Sequence, residues 1–173
     1  AGFSNINIDL MFAIPGQSYE GWIQNLRTVA KLGPEHISAY SLIIEEGTPF
    51  SARKLDLPDE DTEYRMYEDV AAVLGKYGYY QYEISNYAKK DRNCRHNEGY
   101  WQRKDYLGLG LGAASLVGRE RFTNTSDMSE YLENSGNLEK IRTDRETLTR
   151  EDEMGEFMFL GLRMTKGVLK KDF

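Results

Sequence analysis

The chain has little cysteine, no long apolar run and no excess of positive charge. Its one cysteine, Cys94, cannot form an internal disulfide, which fits a reducing compartment. No apolar run approaches the roughly 20 residues of a membrane-spanning helix, and the first residues lack the basic and apolar regions of a signal peptide. We therefore expect a soluble, cytoplasmic protein with no transmembrane segment.

The net charge of the chain restricts the kinds of molecule that it is expected to bind. Lysine and arginine number 22 against 28 aspartates and glutamates, which gives a formal net charge of −6. A general nucleic-acid binder needs a basic surface, so no nucleic-acid partner is expected. With 173 residues, 40% of them hydrophobic, the chain is long and apolar enough to bury a core, which excludes a disordered protein.

Aromatic residues, by contrast, are abundant. The chain has 12 tyrosines, 7 phenylalanines and 2 tryptophans, and many of the tyrosines lie between positions 77 and 106. Such side chains either belong to the core or line a pocket.

The first quarter of the chain has the pattern of a parallel β-α-β unit. Apolar residues at both parities between Ile6 and Ile14 predict a strand buried on both faces. A helix with Ser18 as its N-cap then ends at Gly33, and a second apolar run, 37–44, predicts the next strand. Short connections between strand, helix and strand favour a parallel pair.

The same pattern follows once more. Asp59 is the expected N-cap of a second helix that ends at Gly78, and the alternation in 80–84 predicts a third parallel strand. Residues 6–84 then have the order β-α-β-α-β, which fits either an open Rossmann-like sheet or an arc of a barrel. The polar stretch 85–100 is predicted to be a long loop, and long ordered loops are often functional.

The last part of the chain has shorter elements. Residues 105–112 and 113–123 are expected to be short strands, and 126–134 a short helix. Thr149 and Asp152 have the spacing of a capping box, so a final helix is predicted to start there. Its apolar face has no later element to receive it, and we expect both ends of the sequence to be cut. That face contains Met154, Phe157, Met158 and Leu162.

The first candidate for chemistry is His96, within the segment Cys94-Arg95-His96-Asn97-Glu98-Gly99-Tyr100-Trp101. An imidazole nitrogen binds haem iron or zinc, and neighbouring aromatic rings suit the face of a macrocycle. Zinc has little support, because Cys94 and His36 are the only other cysteine and histidine in the chain. A histidine that only forms local hydrogen bonds is the simpler alternative.

Other motifs are weaker. Asp9 lies within an apolar strand and needs a partner, either an internal one or a ligand hydroxyl. His36 is expected to be structural, with its ring on a main-chain carbonyl. The glycines of 108–112 lack a complete phosphate-binding fingerprint, so tight strand packing explains them better. The sequence has no motif that pairs a nucleophile with a base, as a hydrolytic enzyme requires.

Four segments resemble the oxygen-independent coproporphyrinogen III oxidase family of the radical SAM superfamily. They are Ile8-Asp9-Leu10-Met11-Phe12-Ala13-Ile14-Pro15-Gly16-Gln17, Gly33-Pro34-Glu35-His36-Ile37-Ser38-Ala39-Tyr40-Ser41-Leu42, Glu46-Gly47-Thr48-Pro49 and Tyr82-Glu83-Ile84-Ser85-Asn86-Tyr87-Ala88. A fifth, His96-Asn97-Glu98-Gly99-Tyr100-Trp101, is similar to the His-Asn-x-x-Tyr-Trp motif of the HemW-type haem chaperones, one branch of that family. The five segments occur in the family's order and span most of the chain.

The resemblance implies both a fold and a set of cofactors. It implies an α/β fold, a partial parallel (β/α) barrel arc with a [4Fe-4S] cluster and S-adenosylmethionine, followed by a small α+β carboxy-terminal region. Asp9 matches an aspartate that contacts S-adenosylmethionine. His96 matches the histidine that binds haem iron, with Asn97, Tyr100 and Trp101 in the same haem region. The cluster motif Cys-x-x-x-Cys-x-x-Cys is absent, so the chain resembles a carboxy-terminal fragment.

A second departure from the family is Ala114, where many relatives carry histidine, which argues against a second axial ligand from that position. The expected organisation has three parts. They are the barrel part in 1–90, a loop with short strands in 91–125, and a truncated, mainly helical domain in 126–173.

The resulting hypothesis is a haem-binding chaperone that delivers haem to acceptor proteins. Arg95, Arg103 and Lys104 lie near enough to His96 in the sequence to meet the propionates of a haem. The alternative is an oxygen-independent coproporphyrinogen III oxidase, which decarboxylates propionates by radical chemistry, and a structural domain without activity is the third possibility. The chain itself is expected to be inactive as an enzyme, because one cysteine cannot hold the cluster. Its first strand has an unpaired edge, so self-association through that strand is expected.

Overall fold

A computed structural model describes residues 2–173, and these form two compact units. The first unit extends to Cys94 and the second comprises Arg95–Phe173. The first unit contains β1 (Asn7–Phe12), α1 (Tyr19–Leu32), β2 (His36–Ser41), α2 (Glu60–Gly75), β3 (Tyr80–Gln81) and β4 (Asn86–Ala88). The three-part division expected from the sequence stays a prediction.

The sheet of the first unit is mixed. Its strand order is β1-β2-β4-β3, with β1 parallel to β2 as the β-α-β pattern predicts. The third strand predicted at 80–84 is present as β3 and runs in the same direction as β1 and β2, but it ends at Gln81. β4 lies between β2 and β3 and pairs antiparallel with both, because the chain turns back after Gln81. The turn is closed by the main-chain N–H of Tyr82, which donates to the carbonyl of Asn86 at 3.2 Å. Part of the predicted loop 85–100 is therefore a strand.

The two helices of this unit begin where the sequence predicts. Ser18 accepts a hydrogen bond from the main-chain N–H of Gly21, and Asp59 accepts one from that of Thr62. Gly33 ends α1 with a φ of 73°, a left-handed conformation that glycine adopts without strain. The buried faces of both helices pack on one side of the sheet. The core they form includes Phe12, Trp22, Leu26, Ile37, Met66, Val70 and Leu74.

Strand β1 is not buried on both faces, as the sequence analysis expected. Leu10 and Phe12 contact the core, whereas Asn7, Asp9 and Met11 on the other face are exposed. The reason is that α1 and α2 cover only one side of the sheet. β1 also lies at the end of the strand order, so one of its edges has no neighbouring strand among the described residues.

The second unit has an antiparallel sheet of order β5-β6-β7 together with short helices. Its elements are α3 (Arg95–Trp101), β5 (Ala114–Val117), β6 (Glu120–Asn124), α4 (Met128–Asn134), α5 (Leu138–Ile141), β7 (Arg142–Thr147), α6 (Arg150–Gly161) and a 3₁₀ turn at Lys170–Asp172.

Several expectations for this unit are corrected. Residues 105–112 are not a strand, since only Tyr106 forms a bridge, to Leu116. Residues 113–123 contain a hairpin and not one strand, because the chain reverses between β5 and β6. The segment 95–101 is a helix and not part of a loop.

The final helix starts at the predicted capping box but buries a different face. Thr149 and Asp152 exchange both capping hydrogen bonds. Met158 and Leu162 of the predicted apolar face are exposed, whereas Glu156 is only 6% exposed. Charge pairing explains this reversal, because two arginines bind the Glu156 carboxylate.

The α/β fold class with a following α+β region is confirmed, while the arc of a barrel stays a prediction. Among residues 2–173, no helix combines the length and the apolar character needed to cross a bilayer.

Candidate functional site

Helix α3 brings His96 and Tyr100 together. Residues four positions apart lie on one face of a helix, and the two rings meet edge to face with centroids 4.7 Å apart. Tyr100 in turn packs edge to face on Tyr106 at 4.8 Å. The imidazole of His96 is exposed to solvent. It is the outermost of three rings, His96, Tyr100 and Tyr106, and its edge contact with Tyr100 orients it.

A cavity of about 750 Å³ lies next to this row, within the second unit. Tyr100, Trp101 and Tyr106 belong to its wall, and Leu109, Phe159 and Leu160 add apolar surface. Leu109 is 85% exposed, although it is a large apolar residue. The volume falls in the range of about 300–1,000 Å³ that is usual for pockets that bind small molecules.

Tyr100 and Trp101 line the cavity, and His96 lies beside it on α3. Asn97 is half-buried and precedes Trp101 by four positions, so these two share the adjacent face of α3. The aromatic ring of Trp101 also carries the guanidinium of Arg163, whose Cζ lies 4.3 Å from the ring centroid.

A buried carboxylate joins two arginines at the same cavity. The Nε of Arg103 donates to Oε2 of Glu156 at 2.7 Å, and Nη2 of Arg121 donates to Oε1. Burial alone would raise the pKa of Glu156, but the hydrogen bonds from Arg121 and Arg103 outweigh it and hold that pKa below its ordinary value. Glu156 is therefore ionised at neutral pH.

Two donors in the cavity wall lack an acceptor. Nε1 of Trp101 and Nη2 of Arg103 are both buried and have no hydrogen-bond partner within residues 2–173. Buried donors are nearly always paired in folded proteins, so each unpaired donor requires an explanation.

Asp9 lies in the first unit, on the exposed face of β1. It is not enclosed by apolar neighbours, as the sequence analysis expected, because no helix covers that face. Its Oδ1 accepts a hydrogen bond from Nδ2 of Asn7 at 2.6 Å, and Ser38 is its register partner on β2. A carboxylate so placed is available to the hydroxyl or ammonium group of a ligand.

His36 is a buried residue on the same face of the sheet as Asn7 and is held by side chains, whereas a main-chain carbonyl was expected. Its Nδ1 lies 2.6 Å from Oδ1 of Asn7, and its Nε2 lies 2.7 Å from the hydroxyl of Tyr82. Burial lowers the pKa of His36. The hydrogen bonds connect a buried tyrosine, through His36 and Asn7, to the carboxylate of Asp9.

The residues present do not fit an iron–sulfur cluster. A [4Fe-4S] cluster is held by several cysteine thiolates, and the chain has one, Cys94. Within the described part of the chain, no group of three or more His, Cys, Asp or Glu residues could hold a metal ion. A haem, by contrast, requires only one imidazole from the protein.

The glycine-rich segment 108–112 is explained by close packing. A Cβ on Gly108 would lie 2.2 Å from the carbonyl oxygen of Ala114, so only glycine fits there. Ala114 itself belongs to the cavity wall and offers no ligand atom in its side chain.

The sequence predicts that Arg103 lies near a haem but does not predict the other two charged residues of the cavity wall. Arg121 and Glu156 lie in separate elements, β6 and α6, and a carboxylate in a helix predicts a solvated face. The one available signal was Glu156 itself, since it is flanked by Phe157 and lies one turn before Leu160.

Comparisons with known proteins show which proteins the chain resembles. A protein of Bacillus subtilis (strain 168) named "Heme chaperone HemW" is 39% identical over 176 residues, which cover 99% of this chain and 46% of that protein. The chain is HemW-like over nearly its whole length. The zebrafish (Danio rerio) protein named "Radical S-adenosyl methionine domain-containing protein 1, mitochondrial" is a further relative, 32% identical over 94% of this chain and 39% of its own length. No family model matches the chain.

A solved structure supports the fold. The coproporphyrinogen III oxidase HemN of Escherichia coli, a radical SAM enzyme, matches with a TM-score of 0.77 over 94% of this chain and 41% of its own chain. At 22% identity the match shows the shared fold. The chain spans about half the length, 46%, of the HemW protein of Bacillus subtilis. The resemblance expected from the sequence is thereby confirmed.

Proposed function

We propose that the chain is part of a haem-binding chaperone that delivers haem to acceptor proteins. The observation that carries this proposal is the similarity to HemW over 99% of the chain. It is supported by the structure of the second unit, where His96 is exposed beside a cavity lined by Tyr100 and Trp101.

His96 is the proposed ligand of the haem iron. A neutral imidazole binds iron through a ring nitrogen, and the edge contact with Tyr100 limits the directions in which that nitrogen points. Tyr100 and Trp101 offer flat apolar surface to a macrocycle. Asn97 supplies a polar group on the face next to His96. This arrangement holds a haem without a second axial ligand from Ala114.

In longer proteins of this family, we propose that a [4Fe-4S] cluster and S-adenosylmethionine bind outside the cavity described here. The cluster supplies electrons when bound. From this chain, Asp9 is the proposed contact to S-adenosylmethionine, because its carboxylate is exposed on the open face of β1. We also propose a cytoplasmic location and self-association through the unpaired edge of β1.

The second candidate is an oxygen-independent coproporphyrinogen III oxidase, which the fold shared with HemN favours. The test uses a longer protein that contains this chain, with its cluster reconstituted. The chaperone proposal predicts haem transfer to an apo-acceptor without decarboxylation of coproporphyrinogen. Formation of protoporphyrinogen without haem transfer would establish the oxidase instead.

A further inference from the structure

The cavity of the second unit has one apolar side and one charged side. Leu109, Phe159 and Leu160 form apolar wall, and the guanidinium groups of Arg103 and Arg121 lie in the same wall. A ligand that fits both sides has an apolar body and an acidic group. Arginine is the side chain best suited to bind a carboxylate, because its planar fork matches the two oxygens.

Glu156 holds the two arginines in place. It accepts from Nε of Arg103 with one oxygen and from Nη2 of Arg121 with the other. Because Glu156 is buried and ionised, both guanidinium groups keep a fixed position. The cavity wall therefore contains two arginines and the carboxylate that they share.

Three further charged residues lie on the solvent side of this pair. Glu153 contacts Nη1 of Arg103 and Nε of Arg119, both at 3.3 Å. Glu146 contacts Arg121 at 3.6 Å and is more than half exposed. With these residues the cluster has three arginines and three carboxylates, so Arg121 offers a ligand a directed hydrogen bond and not an excess of positive charge.

Arg121 is the arginine of this pair that a ligand can reach. Nη2 of Arg103 has no acceptor within residues 2–173, but it is enclosed by protein and does not open onto the cavity. The other nitrogens of Arg103 contact Glu153 and Glu156. Arg121 keeps about a third of its side chain exposed, which leaves part of its guanidinium within reach of an acceptor in the cavity.

We propose that Arg121, positioned by Glu156, binds a carboxylate of the ligand in this cavity. The inference rests on the proposed function in taking the ligand to be a porphyrin, whose propionates are such carboxylates. The chemistry required is the carboxylate on an apolar body, which a fatty acid shares. Glu156 acts through Arg121 and is a positioning residue.

The test compares ligands that differ only in the carboxylate. Metal-free protoporphyrin IX, its dimethyl ester and laurate are titrated into the 173-residue chain, with porphyrin fluorescence and laurate competition as readouts. We expect the diacid to bind about tenfold more tightly than the ester, as one charge-assisted hydrogen bond predicts. Laurate that competes with the diacid identifies a general carboxylate site, and laurate that does not compete identifies a porphyrin site.

Two substitutions of Arg121 test whether this residue causes the preference for the diacid. Arg121→Gln leaves the contact between Arg103 and Glu156 intact, so the fold is kept, and it should remove most of the preference for the diacid. Arg121→Lys should restore part of it. Arg27→Gln changes an exposed arginine of the first unit and is the matched control, with the preference unchanged.

The outcomes separate this inference from the proposed function. His96→Ala abolishes iron ligation but should leave the preference of the metal-free porphyrin for its diacid form. If haem ligation fails while that preference persists, the arginine site stands and the proposed function falls. Equal affinity for diacid and ester, an unchanged preference in Arg121→Gln, or no binding of either carboxylate would overturn the arginine site.

Discussion

The hydroxyl of Tyr82 and Nε2 of His36 are 2.7 Å apart, and Asn7 on the other ring nitrogen decides which of the two donates. Asn7 donates to Asp9 with its amide nitrogen, so its oxygen faces Nδ1 of His36. Since the lowered pKa keeps the ring neutral, Nδ1 carries the proton and Nε2 accepts from Tyr82. Protonation of His36 would add a hydrogen at Nε2, which would then face the hydroxyl of Tyr82 as a donor and could no longer accept from it.

The first prediction is a loss of stability in mild acid. Burial lowers the folded-state pKa of His36 below the unfolded value of about 6.5, so the unfolded state binds protons more readily. The contribution of His36 is fully present above about pH 6.5 and is lost as the pH falls through the folded-state pKa.

Urea unfolding at pH 7.5 and 5.5, followed by Trp22 in a Trp101→Phe background, reports on the first unit. The wild-type chain should lose stability between these two pH values, and His36→Gln should lose clearly less. His96→Gln is the control, because His96 is exposed and lies in the second unit. An equal loss in the His36→Gln and His96→Gln variants would show that His36 does not cause it.

The second prediction concerns the buried carboxylate of Glu156. Glu156→Gln removes the negative partner of Arg103 and Arg121, and the loss of one member of a buried ion pair costs about 3–5 kcal/mol. Hydrogen exchange of α3 and α6, measured by mass spectrometry, should become faster by about two orders of magnitude. Glu133→Gln on the exposed surface of α4 is the control and should leave these rates unchanged.

The third prediction compares two glycines. Gly108→Ala places a Cβ against the carbonyl of Ala114 and should destabilise the second unit by about 1–3 kcal/mol. Gly155 lies within α6, and nothing is near the position that an added Cβ would occupy. Gly155→Ala should therefore stabilise the second unit by about 0.5–1 kcal/mol. Thermal unfolding of both variants provides the measurement. Similar melting temperatures for the two would refute the close approach at Gly108.

The fourth prediction is the absence of radical chemistry from this chain alone. One cysteine cannot hold a [4Fe-4S] cluster, so electrons cannot reach S-adenosylmethionine by that route. Incubation with iron, sulfide and a strong reductant should yield no 5′-deoxyadenosine above a Cys94→Ala control. If the chain formed a stoichiometric amount of 5′-deoxyadenosine and Cys94→Ala abolished it, this prediction would be wrong.

The sequence predicts those elements whose signals are local. Ser18, Asp59 and Thr149 cap helices because a short polar side chain meets nearby main-chain N–H groups, and these contacts require no tertiary structure. The parallel pair of β1 and β2 follows in the same way from the short connection through α1.

Other elements depend on distant partners and leave no local pattern. β4 has three residues and becomes a strand only by pairing with β2 and β3. α3 has seven residues, including Gly99, and buries none of them fully, so no apolar periodicity marks it. The burial of Glu156 requires two arginines that are far away in sequence. Of the candidate site, the proximity of His96, Tyr100, Trp101 and Arg103 follows from the sequence, whereas the positions of Arg121 and Glu156 do not.

The most direct test of the proposed function is a titration of haem into the 173-residue chain, followed by the Soret band. The wild-type chain should bind haem with a shifted Soret band, and His96→Ala should lose that shift. His36→Gln alters the only other histidine and should keep it. Circular dichroism of each variant confirms that it is folded. Identical spectra for the wild-type chain and His96→Ala would contradict iron ligation by His96.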